Sequence, residues 1–305
     1  MILLASPGQG AQSPGFLQPW LEVPGVADRL AWWSAVTGLD LVRYGTTADA
    51  EEIRDTAVAQ PLLVAAALAA HEALYPGDAR PDAVAGHSVG ELAAAAISGV
   101  LSPEAALVLV RERGRAMAEA AAVTETGMTA VLGGDAEEVL AAIDKHGLTP
   151  ANVNGAGQVV AAGTMERLAA FADEPPAKAR LRPLSVAGAF HTEHMAPAVA
   201  TLERLAPGAP VADPAITLLS NRDGAVVTAG RDYLSRLVAQ VSAPVRWDAC
   251  MATMRELGVT AIIELPPAGT LVGLARRELK GVEPLALKGP EDLDKARELI
   301  KAHTS

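Results

Sequence analysis

Cys250 is the only cysteine among 305 residues. No intrachain disulfide can form from it, which fits a reducing compartment. Its surroundings, Trp247–Met254, read as helical, and Cys250 is expected there as a small buried apolar residue. Aromatic residues make up 3% of a chain that is half hydrophobic, so the core must be built from Ala, Val and Leu. Positive charge is also short. Against 36 Asp and Glu stand 25 Lys and Arg, a net charge of -11 with a pI near 5.0. That balance argues against non-specific binding to nucleic acid or to an anionic membrane. An acidic partner could dock only through a local basic patch. The Ala-rich stretches are broken by Glu, His or Arg, so no apolar run is expected to reach the length of a membrane span. No basic segment precedes an apolar one at the N-terminus. The expectation is a soluble cytoplasmic protein.

The length suits one large domain, or one domain carrying an insertion. Met1–Ser6 reads as a short strand running into Pro7-Gly8-Gln9-Gly10-Ala11-Gln12, a tight turn with exposed amides. Helical patterns follow at Val26–Val36, Ala48–Asp55 and Gln60–Leu74. Asp82–His87 reads as a buried strand, and Ser102-Pro103-Glu104 opens a helix that runs to about Ala121. The pattern then changes. Gly127–Leu132 is a strand, Asp135–Lys145 a helix, Thr149–Asn154 and Gln158–Ala162 two strands around Gly155-Ala156-Gly157, Thr164–Ala172 a helix and Ala179–Val186 a strand. This β-α-β-β-α-β order is the ferredoxin-like pattern. The expected architecture is a large α/β-hydrolase-like domain of residues 1–123 and 190–305, with a small ferredoxin-like subdomain at 124–189. Ile216–Ser220 and Thr260–Leu265 read as further core strands, with helices at Arg231–Gln240 and Trp247–Leu257 and a last one from about Pro290.

The chemistry centres on Gly86-His87-Ser88-Val89-Gly90, a G-x-S-x-G pentapeptide followed by Glu91. The five residues alone are a weak signature; the strand before them and the Ala-rich helix after them make a nucleophile elbow. The helix N-terminus offers amides that can stabilise an oxyanion. A serine hydroxyl needs a base within hydrogen-bond reach, and histidine suits neutral pH. Of six histidines, His71, His146 and His303 are expected on the solvated surface, and His87 as support or lining beside Ser88. His191 ends Gly188-Ala189-Phe190-His191, where the chain returns from the small unit to the large one. Position alone leaves it either the base or a helix cap, and His194 is the weaker candidate. No acidic residue between Ser88 and His191 stands out as the third member of a triad, so a backbone carbonyl would have to orient the imidazole. Arg111, Arg113 and Arg115 lie one helix after the elbow, where a guanidinium could hold a carboxylate bidentately or simply be solvated.

Taken together, these segments resemble the malonyl-CoA:acyl carrier protein transacylases, the acyltransferase family of fatty acid and polyketide synthesis. The resemblance covers essentially the whole chain. It rests on Gly8-Gln9-Gly10-Ala11-Gln12, Gly86–Glu91, Arg113-Gly114-Arg115-Ala116-Met117, Asn152-Val153-Asn154 with Gln158-Val159-Val160, Ala189-Phe190-His191, and Gln240 with Pro244-Val245-Arg246-Trp247. It implies that Ser88 is the acylated nucleophile and His191 its base, with Gln240 orienting His191 through its main-chain carbonyl. It also implies an oxyanion hole from the amides of Gln9 and Val89, and pairing of Arg113 with the malonyl carboxylate. Asn152 and Asn154 become supporting site residues. Phe190 before the histidine and Val89 after the serine resemble malonyl-selective members. Leu265-Pro266-Pro267-Ala268-Gly269 departs from the family's Gly-Pro-Gly, and a changed loop is expected there. The implied partners are malonyl-CoA and an acidic holo acyl carrier protein. No metal or resident cofactor is implied, and a monomer is the family-like expectation. Lys178, Arg180 and Arg182, or Arg276, Arg277 and Lys280, are candidate docking charges. The competing readings are a serine esterase or thioesterase, with water as acceptor and no carboxylate clamp, and a non-enzymatic carrier-binding protein.

Overall fold

The computed structural model describes residues 1–77, 79–155 and 157–303. Two sheets organise them. The first is parallel throughout, in the order β10-β9-β1-β2-β7. Its strands are β1 (Ile2–Ser6), β2 (Ala83–Gly86), β7 (Thr217–Leu218), β9 (Ala261–Glu264) and β10 (Glu283–Ala286). Every residue of β1, β2 and β9 is buried. A parallel sheet covered on both faces requires such unbroken apolar runs.

Helices α1 (Val26–Thr37), α2 (Leu41–Thr46), α3 (Thr56–Leu74), α4 (Gly90–Ile97) and α5 (Pro103–Ala121) fill the first part of the chain. Asp40, Asp55 and Ser102 cap α2, α3 and α5 by accepting backbone N–H bonds,. Helix α3 is the core's central rod, packed against α5, α4 and α1. It is 19 residues long with a mean hydropathy of 1.5, long and apolar enough to cross a membrane. The expectation that no run would reach this length is therefore corrected; burial on nearly every face makes α3 a core helix. Pro61 inside it cannot donate to the Ala57 carbonyl, which instead accepts from Arg111 Nη1 at 3.4 Å,.

The second sheet runs β6-β3-β5-β4-β8. Strands β3 (Thr126–Gly133), β4 (Thr149–Gly155), β5 (Gln158–Thr164) and β6 (Ala179–Pro183) pair antiparallel, and helices α6 (Ala136–Lys145) and α7 (Met165–Asp173) connect them. Ala156, at the centre of the expected turn, lies outside the described residues. The fifth strand, β8 (Val245–Arg246), comes from the later part of the chain and pairs parallel with β4, Asn152 opposite Val245. Helices α8 (Ala196–Leu205), α9 (Gly230–Gln240), α10 (Trp247–Glu256), α11 (Thr270–Glu278) and α12 (Leu293–His303) complete the fold.

Three further expectations need correction. Ala48–Asp55 is one 3-10 turn, Glu52–Arg54. Asp49 accepts from the amides of Glu51 and Glu52, and Asp55 from Ala57, so side chains compete with a continuous helix,. Ile216–Ser220 shortens to the two residues of β7, followed by a bridge from Leu219 to Val226. The three histidines expected in solvent are each partly buried. His71 stacks on Tyr75, His146 packs edge-on against Phe171 while bonding the Ala142 carbonyl, and His303 bonds Thr260. Cys250 is buried, as expected.

Candidate active site

Strand β2 ends at Gly86 and α4 begins at Gly90, so the chain reverses over three residues. The turn forces Ser88 to φ 53°, in the left-handed region,. It also brings backbones into contact. A side chain at Gly86 would strike the backbone of Gly90, and one at Gly90 would strike the Ser6 carbonyl. The two glycines of the pentapeptide are therefore steric requirements.

His191 reaches the serine from the loop after β6. Its Nε2 lies 2.7 Å from Ser88 Oγ, and its Nδ1 lies 2.8 Å from the main-chain oxygen of Gln240. A carbonyl can only accept, so Nδ1 carries the proton and Nε2 is free to take one from the hydroxyl. The His191 amide also donates, to the Val241 carbonyl at 3.2 Å. Both bonds use carbonyls at the C-terminus of α9, the end of a helix that favours positive charge,. Burial, and next the Arg113 charge, push the His191 pKa down to about 3, so the resting imidazole is neutral,.

Arg113 extends from α5 into the same space and is 2% exposed. Nη1 donates to Gln60 Oε1 at 2.6 Å, and Nη2 to Gln240 Oε1 at 2.8 Å and to Ser88 Oγ at 3.4 Å. Burial lowers its pKa to about 10, which leaves it charged at neutral pH. Of the expected oxyanion donors, Val89 N–H and Gln9 N–H bond no acceptor among the described residues. The Ser88 amide is taken by Asn221 Oδ1 at 2.7 Å.

The acyl transferase domain family matches residues 7–296. The malonyl CoA-acyl carrier protein transacylase of Mycobacterium tuberculosis H37Rv is 55% identical over 302 residues, covering 98% of this chain and 100% of that protein. The chain is an enzyme of the malonyl-CoA:acyl carrier protein transacylase family. A crystal structure of the transacylase from M. tuberculosis superposes with a TM-score of 0.93 at 55% identity, over 97% of this chain and 99% of the other. Another transacylase, solved in complex with its type II polyketide synthase acyl carrier protein in holo form, superposes with a TM-score of 0.91 at 31% identity, over 98% of this chain and 99% of the other.

In this transacylase-family chain, Gln9, Asn152, Phe190 and His191 line a small cavity of about 90 Å³ at Ser88, with Met117 and Met128 on its walls. Asn154 lines the adjoining groove instead, its Oδ1 2.9 Å from His87 Nε2, which gives His87 the supporting place expected of it. His194 contacts neither the serine nor Arg113; its amide donates to Thr192. Arg111 bonds the Thr37 carbonyl and Arg115 pairs with Glu112 on the surface, so Arg113 is the member of that trio in the site. A wider groove of about 450 Å³ adjoins the cavity, between Gly8–Gln12, Asn152, Asn154, Ser185 and Leu274.

Gln60, Asn221, Glu91 and Tyr233 were not singled out for roles by sequence reasoning. Asn221 Nδ2 donates to the Gly86 carbonyl while its Oδ1 holds the Ser88 amide, so one side chain spans the elbow. Glu91 receives the Asn221 amide at 2.7 Å, the Tyr233 hydroxyl at 3.3 Å and Gln240 Nε2. Burial pushes Glu91 up to about 7 despite these donors. Gln60 had a signal: it is a buried amide in the otherwise apolar face of α3, which calls for a partner,. Asn221 sits in a loop and had none.

Proposed function

We propose that this chain moves a malonyl group from malonyl-CoA to the phosphopantetheine thiol of an acyl carrier protein, through a malonyl-serine. The Ser88–His191–Gln240 chain of hydrogen bonds, with the Arg113 cation on the same serine, carries this reading. His191 Nε2 takes the Ser88 proton as Oγ attacks the thioester carbon. The imidazolium forms against the C-terminal carbonyls of α9, which favour it. The oxyanion meets the amide of Val89 at the start of α4 and that of Gln9 in the loop after β1,. The intermediate collapses, the C–S bond breaks, and the proton on Nε2 passes to the departing coenzyme A sulfur. The carrier thiol then runs the same steps in reverse, its proton going to Nε2 and on to Ser88 Oγ.

Arg113 suits the free carboxylate of malonyl because its partners among the described residues are two amide oxygens and the Ser88 hydroxyl, all neutral, which leave its charge uncompensated by direct contact,. Phe190 and the two methionines limit the room beside the acyl carbon, which supports malonyl over branched acyl groups. Asn152 and Asn154 are supporting residues. The pathway served is fatty acid synthesis, with polyketide synthesis open to the same chemistry. The carrier protein is the acidic partner. Arg276, Arg277 and Lys280 are exposed on or just after α11, whose Leu271 and Leu274 line the groove. Lys178, Arg180 and Arg182 are exposed at β6, before the Leu184–Val186 segment that also lines it. A cytoplasmic monomer that needs no metal or resident cofactor completes the reading. For the fold, we read 124–189 as a ferredoxin-like subdomain, supported by its antiparallel order β6-β3-β5-β4, inserted into a hydrolase-like domain of 1–123 and 190–305,.

Intact mass tests this directly. Native protein mixed with malonyl-CoA should gain one malonyl group, Ser88→Ala none, and adding holo carrier protein should move the group to the carrier. An adduct lost to free malonate equally fast without the carrier would instead show a hydrolase.

A further inference from the structure

Arg113 is the selective element of the proposed site, yet no carboxylate among the described residues touches it. Its two nearest acceptors are amide oxygens, and an amide can turn over. Gln240 would then present Nε2 to the guanidinium, and donor would face donor. Something must decide which way the Gln240 amide points. Nε2 of Gln240 has acceptors on its side, the Ser88 carbonyl at 3.1 Å and a carboxylate oxygen of Glu91. Glu91 is 1% exposed, and the polar groups around it donate to it: the Asn221 amide, the Tyr233 hydroxyl and Gln240 Nε2. The ionised carboxylate, surrounded by donors, accepts at every position and fixes each donor's direction.

We propose that Glu91 is a positioning residue for malonyl selectivity: it sets the orientation of the Gln240 amide, which in turn aims the Arg113 guanidinium at the substrate carboxylate. This rests on the reading of Arg113 as the malonyl partner. Glutamine at position 91 weakens the constraint, leaving the Ser88 carbonyl as the remaining acceptor for Gln240 Nε2. If its NH2 faces Gln240, Gln240 turns over and its own NH2 meets Arg113. If its NH2 faces the other way, it meets the Asn221 amide. Either arrangement sets a donor against a donor in a buried network.

The test is single-turnover acylation by malonyl-CoA and by acetyl-CoA, followed by intact mass, in native protein, Glu91→Gln, Arg113→Ala and the double variant. The malonyl-to-acetyl rate ratio should fall about tenfold in Glu91→Gln, the effect of weakening one charge-assisted bond. In the Arg113→Ala background the same substitution should change the ratio less than about twofold, because the two residues act through one contact. Gln240→Met retains the main-chain carbonyl that holds His191 and should lower the ratio similarly; it serves as the test if Glu91→Gln does not fold. An unchanged ratio in a folded variant, or an equal fall in the Arg113→Ala background, overturns the proposal. If Arg113→Ala itself leaves the ratio unchanged, the carboxylate-clamp reading fails, and this proposal with it.

Discussion

Replacing Arg113 by alanine should separate recognition of the acyl group from the chemistry proposed for Ser88. The guanidinium is 2% exposed, so a malonyl carboxylate meeting it does so away from bulk water. Two unit charges about 4 Å apart at an effective dielectric near 20 attract by about 4 kcal/mol. Two hydrogen bonds to a charged group, at about 1.5–3 kcal/mol each, give about 3–6 kcal/mol. At about 1.4 kcal/mol per decade, both routes put the loss in malonyl acylation near a thousandfold. Acetyl-CoA has no carboxylate and forfeits neither term. The variant has a cost of its own, because Gln60 Oε1 and Gln240 Oε1 each lose a donor. Buried acceptors left unpaired cost about 1–3 kcal/mol each, so melting must be followed alongside activity. The assay is the rate of Ser88 acylation in a single turnover, with each thioester in turn. Malonyl and acetyl rates falling by the same factor would refute the reasoning, since Arg113 would then act through the fold or through His191.

Two further outcomes follow from the geometry. His191 is held well below its ordinary 6.5, first by burial and then by Arg113, so its base form survives to lower pH. The acid limb of the acylation rate should therefore lie below pH 6.5 and move upward in Arg113→Ala; a native limb at or above 6.5 contradicts this. Gly90→Ala drives a methyl into the Ser6 carbonyl at the crossing of β1 and the elbow, where backbone cannot yield cheaply. Overpacking of this kind costs about 1–3 kcal/mol, and the thermal midpoint should fall with serine reactivity; an unchanged midpoint would show that the elbow tolerates a Cβ.

What could be read from the residues was whatever local pattern controls. The elbow was legible because two glycines, a strand and a helix leave few other conformations for Ser88. The β-α-β-β-α-β run was legible from alternating periods, and its boundaries fall within a few residues of β3 to β6. Strand β8 was not legible, since a two-residue strand carries no periodicity. The Ala48–Asp55 segment misled because its composition suits a helix while Asp49 and Asp55 spend their side chains on local amides. Within the site, the bond from His191 to the Gln240 carbonyl follows from family likeness; the main-chain contact leaves no trace in side-chain identity. Asn221 illustrates the same limit, for it comes 133 residues after Ser88 and meets its amide only through the fold.

The parallel pairing of β4 with β8 bears on how the cleft works. Val245 and Arg246 follow closely after Gln240, whose carbonyl accepts from His191, and they are stitched to Asn152 and Val153 within the second sheet. The Arg246 amide is tied in turn to the Asn221 carbonyl, next to the elbow. Ser88, His191 and both walls thus share one brace. Swinging the two sheets apart would strain the tie from Arg246 to Asn221 and displace the imidazole with it. An enzyme built this way gains little from a clamshell motion. Its two acyl carriers would have to trade places through a mouth of nearly constant width, each threading a slender arm past walls that stay still.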